Sequence, residues 1–343
     1  MSHEFPLVSV IMPVYNAASF LVDSIESILN QSYQNFELII VDDCSSDNSL
    51  EIIYHYQKKD SRIIVYTFSE KQNLPIVRNK AISISTGKYL LNLDADDVTL
   101  PLRMEKQVLK MEQNPTLSIV GSDIIYFGTS DKQWLTKHTH NAIITQLLFE
   151  SPIPNSSSMI RKTTLINNKI IYDEKFLVAE DYDFWFRLSK IAIFENDNEI
   201  LTRIRKQSNN ISNNKILIQE NTSLIQQKIL KENLNIDANK DELALHYAIT
   251  KPNCNFDLIK INDWLQKIYE ANKIQQYYPD KELYSLLQEI WLKHFAGKIF
   301  ENQNNYTIFI HSTLSPYQNY SFFQKIKIFI KYYWLRFGSK ILF

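Results

Sequence analysis

Three carboxylates stand at the exit of an apolar run in YLLNLDADDVTLP, residues 89–101: Asp94, Asp96 and Asp97. Like charges this close repel and raise one another's proton affinity unless water or a bound cation neutralises them. An Asp-x-Asp at a strand end suits a hard divalent cation, Mg2+ or Mn2+, which takes one or two carboxylates together with phosphate oxygens and water. Two more polar clusters follow apolar runs, PVYN at 13–16 and DDCSSD at 42–47. Alone, each has an ordinary explanation, since Asp and Asn serve in turns and helix caps. Three of them at strand exits point to one shared crevice, because open parallel sheets bind ligands outside the carboxyl ends of their strands. A metal carried in with a nucleoside diphosphate would satisfy the charge pattern.

The elements that must position these residues are legible as alternating patterns. LVSVIMPV (7–14), FELIIVDD (36–43), RIIVYTF (62–68) and KYLLNLD (88–94) read as buried strands. ASFLVDSIESILNQ (18–31) has apolar residues at 21, 22, 25, 28 and 29, which is helical spacing. SDNSLEIIYHYQKK (46–59) reads as a helix capped by Ser46 or Asp47. PIVRNKAISIS (75–85) reads as a helix ended by Gly87, and Pro101 opens another through LRMEKQVLKMEQN. This order predicts an α/β fold with a parallel sheet covered by helices. Further on, LSIVGSDIIYF (117–127) and SSSMIRK (156–162) read as strands and AEDYDFWFRLSK (179–190) as a helix. Past residue 215 the chain turns polar and helical, so two domains are expected, 1–215 and a mainly helical 216–343.

Composition narrows the function classes. The 343 residues carry a formal net charge of −1, which gives no electrostatic footprint for a nucleic-acid partner. Two cysteines, Cys44 and Cys254, make neither a disulfide framework nor a C-x-x-C metal site, so a reducing compartment is expected. Neither a basic leader followed by an apolar run nor a membrane-length apolar stretch is present in the sequence. Five glycines, none in a dinucleotide or Walker loop, argue against those phosphate cradles.

In order along the chain, VSVIMPVYN, FELIIVDDCSSDNS, NLPIVRNKAISISTGKYLLNLDADD and AEDYDFWFRL resemble the inverting glycosyltransferase family 2, of GT-A (Rossmann-like) fold, over residues 6–212. The resemblance implies roles residue by residue. Pro13 and Tyr15 fall at nucleotide-binding positions, with the Tyr15 ring packing on the base. Asp43, with Asp42 beside it, matches the carboxylate that bonds the uracil edge, and Arg78 matches a basic position near the nucleotide. Asp94 and Asp96 match the Asp-x-Asp, Asp96 as the direct metal ligand and Asp94 nearer the ribose and sugar. Asp181 matches the catalytic base, and Glu180 precedes it as an orienting or acceptor-contacting group. One departure stands out: the family's Arg-x-His before a Ser-rich turn aligns here with Arg205 and Gln207. An amide is a poorer Mn2+ ligand than imidazole. Arg203, Arg205 and Lys206 are available to neutralise a diphosphate directly, so weaker metal dependence is expected.

The resemblance thus implies an enzyme that moves a sugar from a nucleotide-diphosphate donor to a glycan or lipid-linked acceptor. The donor would be a UDP-hexose or UDP-N-acetylhexosamine, and the setting bacterial surface polysaccharide or lipopolysaccharide synthesis. Two alternatives stand beside it: a non-catalytic nucleotide-sugar-binding or scaffold subunit, and a sugar nucleotidyltransferase, which the glycine-free PVYNAASF disfavours. His138 and His140 in KHTH read as a solvated or acceptor-facing loop, and Trp134 as either packing or an acceptor platform. At the C-terminus, 321–343 carries Lys325, Lys327, Lys331, Arg336 and Lys340, no acid, and one apolar helical face. Such a helix either lies in an anionic membrane interface or packs on its own domain. A cytoplasmic protein, peripheral on the inner face of the cell membrane, is the expectation.

Overall fold

The computed structural model describes residues 5–206, 214–251, 254–298, 304–315 and 321. Two compact units emerge, Met1–Leu147 with Ser151–Thr222, and Leu148–Glu150 with Ser223–Phe343.

The first unit is a mixed sheet flanked by helices. Its opening strands β1 (Val8–Val14), β2 (Phe36–Asp42), β3 (Ile63–Thr67) and β4 (Tyr89–Asn92) pair in parallel, with β1 between β2 and β4. Every residue of β1, β2 and β4 is buried, as expected of strands covered on both faces. Helices α1 (Leu21–Leu29), α2 (Ser49–Lys59) and α3 (Leu74–Ile84) make the crossovers. Leu21, Ile25 and Ile28 of α1 join Val10, Met12, Leu38 and Ile40 in one core cluster. Each such side chain contributes about 1.5–3 kcal/mol by leaving water.

Beyond β4 come β5 (Val98–Thr99), α4 (Arg103–Gln113), β6 (Leu117–Gly128), β7 (Gln133–Trp134) and α5 (His140–Gln146). A 3-10 turn at Asn155–Ser157 then leads into β8 (Met159–Arg161), α6 (Lys162–Asn168), α7 (Glu180–Ser189) and β9 (Ile193–Lys206). The sheet order is β3-β2-β1-β4-β8-β6-β9-β5, with β7 on β6. The sheet is therefore not wholly parallel, because β8 runs antiparallel to both β4 and β6.

Three local expectations change. Helix α2 starts at Ser49, not Ser46, because Asp47 accepts the N–H groups of Ala18 and Ser49, each at 3.0 Å, and is tied into the preceding loop. Helix α4 starts at Arg103, since the Leu100 carbonyl accepts the Arg103 N–H at 3.1 Å and leaves Pro101 in a turn. Gly87 does not end α3, which stops at Ile84 with an extended Ser85. Its role is close approach: a Cβ there would stand 2.7 Å from the Ser9 nitrogen and 2.8 Å from the Leu7 carbonyl.

The second unit is helical: α8 (Lys215–Leu234, shared with the first unit), α9 (Lys240–Ala248), α10 (Leu258–Gln275), α11 (Asp280–Lys298) and α12 (Asn304–His311). Its core includes a fixed imidazole. The Trp264 indole N–H donates to His246 Nδ1 at 3.1 Å, so His246 Nε2 carries the proton and donates to the Leu148 carbonyl at 2.8 Å. Burial pushes the His246 pKa down to about 4.

Candidate active site

The predicted residues gather at the carboxyl end of the parallel strands. Pro13 lies in β1 beyond the stretch paired with β4, which ends at Ile11, so its missing N–H interrupts no ladder on that side. Tyr15 follows, 42% exposed. Next to it the Asp43 N–H donates to the Val14 carbonyl at 2.8 Å, which joins the ends of β1 and β2. Asn16 and Cys44, the residues after Tyr15 and Asp43, take left-handed backbone with φ of 48° and 59°. Such turns cost about 1–3 kcal/mol in a non-glycine residue and persist where the surroundings enforce them. Here Asn16 Oδ1 accepts the Ser46 N–H at 2.8 Å and Ser45 Oγ accepts the Asn16 N–H at 3.0 Å.

The two acidic neighbours divide their work. Asp42 is 1% exposed and turns Oδ2 to the Ser45 N–H at 3.1 Å; its Oδ1 is buried without a hydrogen-bond partner. Asp43 accepts the Gln72 N–H at 2.6 Å on Oδ1 and the Lys71 ammonium at 3.3 Å on Oδ2.

The Asp-x-Asp sits on a loop held from several sides. The Asp94 N–H donates to Ser156 Oγ at 3.1 Å, Ser24 Oγ donates to the Ala95 carbonyl at 2.7 Å, and Arg205 Nε donates to the Asp96 carbonyl at 3.0 Å. Exposure alternates, with Asp94 and Asp96 half-buried while Ala95 and Asp97 are buried. The third carboxylate is thereby separated from the pair that faces the crevice. Asp97 Oδ1 accepts the Arg205 N–H at 2.8 Å, and its pKa rises well above the ordinary carboxylate range through burial and through Asp96 and Asp94. Underneath, the fully buried Arg103 donates to the carbonyls of Asn92, Ser156 and Ser158 and to Gln107 Oε1. Burial brings the Arg103 pKa down to about 9 against the opposing pull of Asp97.

Arg78 joins this loop to α7. Only 2% exposed, it donates from Nη2 to Asp94 Oδ1 at 2.8 Å and from Nη1 to Glu180 Oε1. Burial lowers its proton affinity, but the two carboxylates outweigh that and raise it. Glu180 is pushed up to about 7 by burial, with Arg78 pulling down and Asp181 pushing up. Asp181 is also raised by burial, with Arg78 pulling down, and it accepts from the Tyr182 N–H at 2.8 Å and from Ser151 Oγ at 3.3 Å. Ala179, just before the pair, has a left-handed φ of 59°. The resemblance implies a place for Arg78 near the nucleotide, and in the structure both ends of its guanidinium engage carboxylates.

Arg205 reaches the same loop from β9, with its guanidinium over Phe20 and Phe127 at 4.5 and 4.3 Å and an ion pair to Asp23 at 3.1 Å. Gln207 and residues 322–343 lie outside the described residues. Among those described, no three His, Cys, Asp or Glu side chains form a metal cage. Two half-exposed carboxylates in excess negative charge fit a Mg2+ or Mn2+ whose shell is completed by substrate phosphate and water.

Sequence reasoning missed Lys71, Ser151, Ser156 and Arg103. The run PNSSS at 154–158 was the available signal for Ser156, since it is turn chemistry directly ahead of a strand. His138 and His140 stay apart from the cluster: His138 meets Asp123 at 3.2 Å and His140 Nδ1 accepts the Phe194 N–H at 3.3 Å.

The crossover sheet thus gathers the strand-end carboxylates, Arg78 and the Glu180–Asp181 pair in one place. The model of Glycosyl transferase family 2 matches residues 9–176. The putative teichuronic acid biosynthesis glycosyltransferase TuaG of Bacillus subtilis is 33% identical over 221 residues, covering 63% of this chain and 85% of that one. The crystal structure of S. aureus TarS 1–349 with UDP-GlcNAc superposes with a TM-score of 0.59 at 18% identity, covering 84% of this chain and 92% of that one. The mannosyltransferase PcManGT of Pyrobaculum calidifontis, in complex with GDP-Man and Mn2+, gives 0.54 at 13% identity, covering 91% and 85%. This chain belongs to glycosyltransferase family 2, has the GT-A fold with a mainly helical C-terminal region, and is a glycosyltransferase.

Proposed function

We propose that the protein transfers a sugar from a UDP-linked hexose or N-acetylhexosamine to a hydroxyl of a glycan or lipid-linked acceptor, with inversion, in bacterial surface polysaccharide assembly. The observation that carries this reading is the Arg78 strut, which brings Asp94 of the Asp-x-Asp and the Glu180–Asp181 pair to one place. Inverting transfer needs a leaving group stabilised on one side and a base on the other. In this reading Asp43 and Tyr15 hold the base, and Asp94 and Asp96 hold the divalent metal. That metal neutralises charge on the departing diphosphate when bound. Asp181 takes the proton from the acceptor hydroxyl as its oxygen attacks the anomeric carbon from the face opposite the leaving group. A base of raised proton affinity suits that task near neutral pH, and burial gives Asp181 that property. Glu180, held by Arg78, orients the pair. The two-domain division, with acceptor or assembly contacts in the C-terminal region, belongs to the same proposal. So does membrane contact through 321–343; among the described residues no helix is long and apolar enough to cross a membrane.

The test is UDP release from a panel of UDP-sugars with Mn2+ and acceptor glycans, for wild type, Asp181→Asn and Asp96→Ala. Acceptor-stimulated release from one donor, reduced about 10²–10⁴-fold by Asp181→Asn with UDP affinity kept, is the expected result. Unchanged turnover in Asp181→Asn would remove it as the base. UDP binding without any turnover of donor in the presence of the acceptor panel would favour a binding subunit.

A further inference from the structure

A cleft of about 580 Å3 lies in the first unit, lined by Ile171, Tyr172, Asp173, Glu174, Lys175 and Arg187. That volume is in the range of small-ligand sites. None of Arg78, Asp94, Glu180 and Asp181 lines it. Its floor is fixed. Tyr172 is fully buried, its N–H donates to Asn79 Oδ1 at 2.8 Å, and its carbonyl accepts from Asn79 Nδ2 at 2.9 Å. The Tyr172 ring stacks on Phe184 with centroids 4.0 Å apart. Tyr172 also joins the cleft to the active site, since the Arg78 guanidinium stands 5.5 Å from its ring centroid. Arg187 is anchored too: it reaches back one turn along α7, and its Nε donates to the fully buried Asp183 carboxylate at 2.7 Å. Its Nη2 is buried and has no hydrogen-bond partner. A polar group left so costs about 1–3 kcal/mol, and an oxygen brought into the cleft relieves that cost.

We infer that this cleft is an outer subsite for a neutral glycan acceptor, holding the sugar units behind the ring that carries the attacking hydroxyl. The inference rests on the transferase reading proposed above, with Asp181 as the base. Position supports it. Glu180 and Arg187 lie on one stripe of α7, two turns apart, about 10 Å along the axis. That span exceeds a single sugar ring, so a unit reacting at Asp181 leaves the cleft to the units that follow it. The lining supports it as well. Asp173 and Glu174 supply acceptors, Lys175 and Arg187 supply donors, and Ile171, 54% exposed, supplies an apolar surface for the C–H face of a ring. Two acids balance two bases, so an anionic ligand would meet two carboxylates. Hydroxyl groups both donate and accept, and so pair with either kind of side chain.

The experiment sets the full chain against an array of neutral oligosaccharides, from monosaccharides to pentasaccharides, with uronate-bearing counterparts as the anionic arm. Binding is then measured by calorimetry for wild type, Arg187→Lys and Glu174→Ala. Arg187→Lys keeps a cation against Asp183 and removes Nη2. Glu174→Ala changes an exposed residue, so it keeps the test open should Arg187→Lys disturb the fold. Affinity is expected to rise with chain length and to gain nothing from uronates. Both variants should bind the longer neutral glycans about tenfold more weakly, the lower end for a hydrogen bond to a charged group. With a glycan that is also an acceptor, the loss should appear in KM rather than kcat, and should grow with acceptor length. Affinity independent of length, unaltered affinity in both variants, or binding to no member of the array would overturn the subsite. A preference for uronates would overturn its neutral specificity. Length-dependent binding that the variants lose, with no UDP release from any donor, would keep the cleft as a glycan site and refute the transferase reading instead.

Discussion

Replacing Arg78 by Met tests the strut and carries a pH signature. The guanidinium is buried, bonded to Asp94 and Glu180, and is the main influence lowering the proton affinity of both Glu180 and Asp181. Removing one partner of a buried ion pair costs about 3–5 kcal/mol, because the remaining charge is left uncompensated. That cost depends on whether the carboxylates are charged. Wild-type Glu180 has a pKa of about 7 in the fold against 4.5 ordinarily, so the folded state binds more protons between those values. Its contribution to stability is complete below 4.5 and declines as the pH rises toward 7. Without Arg78 that window extends upward, and Asp181 follows in the same direction. At pH 5 Glu180 carries its proton, so less charge is left uncompensated when Arg78 is removed and the penalty shrinks. Urea unfolding at pH 8 should therefore show a loss of about 3–5 kcal/mol, and at pH 5 a smaller loss. A loss of equal size at both pH values would refute the electrostatic account and leave Arg78 as a packing residue. Where the variant turns over, the acidic limb of its kcat/KM profile should move to higher pH, as the base loses the cation that held its affinity down.

Three other outcomes follow from single features. Gly87→Ala places a methyl group 2.6–2.8 Å from Ser9 and the Leu7 carbonyl, two of the three clashes being with backbone, so the unfolding free energy should fall by about 1–3 kcal/mol, read as a lower urea midpoint with unchanged slope. His246 has its pKa depressed from 6.5 to about 4, so the stability it contributes is present above 6.5 and is lost as pH falls toward 4, a swing of about 3 kcal/mol. His246→Gln should flatten that acid limb in a thermal melt; an unaltered limb places the sensitivity elsewhere. Chelation by EDTA should lower transfer without abolishing it, with stimulation continuing into millimolar Mn2+; complete loss reversed by micromolar Mn2+ would show a full metal site.

The fold was legible where burial alone dictates sequence. Strands β1, β2 and β4 are buried at every residue, so their apolar runs in the sequence are continuous, and the helical periods between them are clear. Legibility failed where tertiary contacts override local preference. Asp47 is not a simple cap because its carboxylate is shared between Ser49 and Ala18 across the β1 loop, and Gly87 marks a close approach between backbone segments 78 residues apart in its bond to Ser9. In the site, the strand-end carboxylates were visible because nothing structural requires so many. Lys71, Arg103 and Ser151 were not, since a lysine in a polar loop, an arginine on a helix and a serine before proline look like ordinary surface chemistry. Only three-dimensional neighbours give them a task.

In the proposed reading, where Gln207 falls at a diphosphate- or metal-binding position, the distribution of positive charge bears on how transfer would proceed without an imidazole there. The guanidinium of Arg78 is committed to two carboxylates, and Arg205 to Asp23 and the Asp96 carbonyl. Arg203 and Lys206 are placed differently. The Arg203 guanidinium lies 4.6 Å from the Phe127 ring and the Lys206 ammonium 4.4 Å from Tyr126, and among the described residues neither has an acidic partner. A cation over an aromatic face keeps its charge available while its stem is held in position. Strand β9 therefore carries two uncommitted cations on opposite faces of its ladder with β6, and Arg203, on the face of Arg205, stands opposite Val98 of β5, one residue beyond Asp97. In the proposed reading Arg203, on the face of Arg205, can meet part of the charge that develops on a departing diphosphate, the share that a stronger metal ligand at position 207 would otherwise carry. On this argument Arg203→Gln should make transfer more metal-dependent, raising the Mn2+ concentration needed for half-maximal rate. An equal fall in rate at every Mn2+ concentration would show that Arg203 and the metal do not share the load.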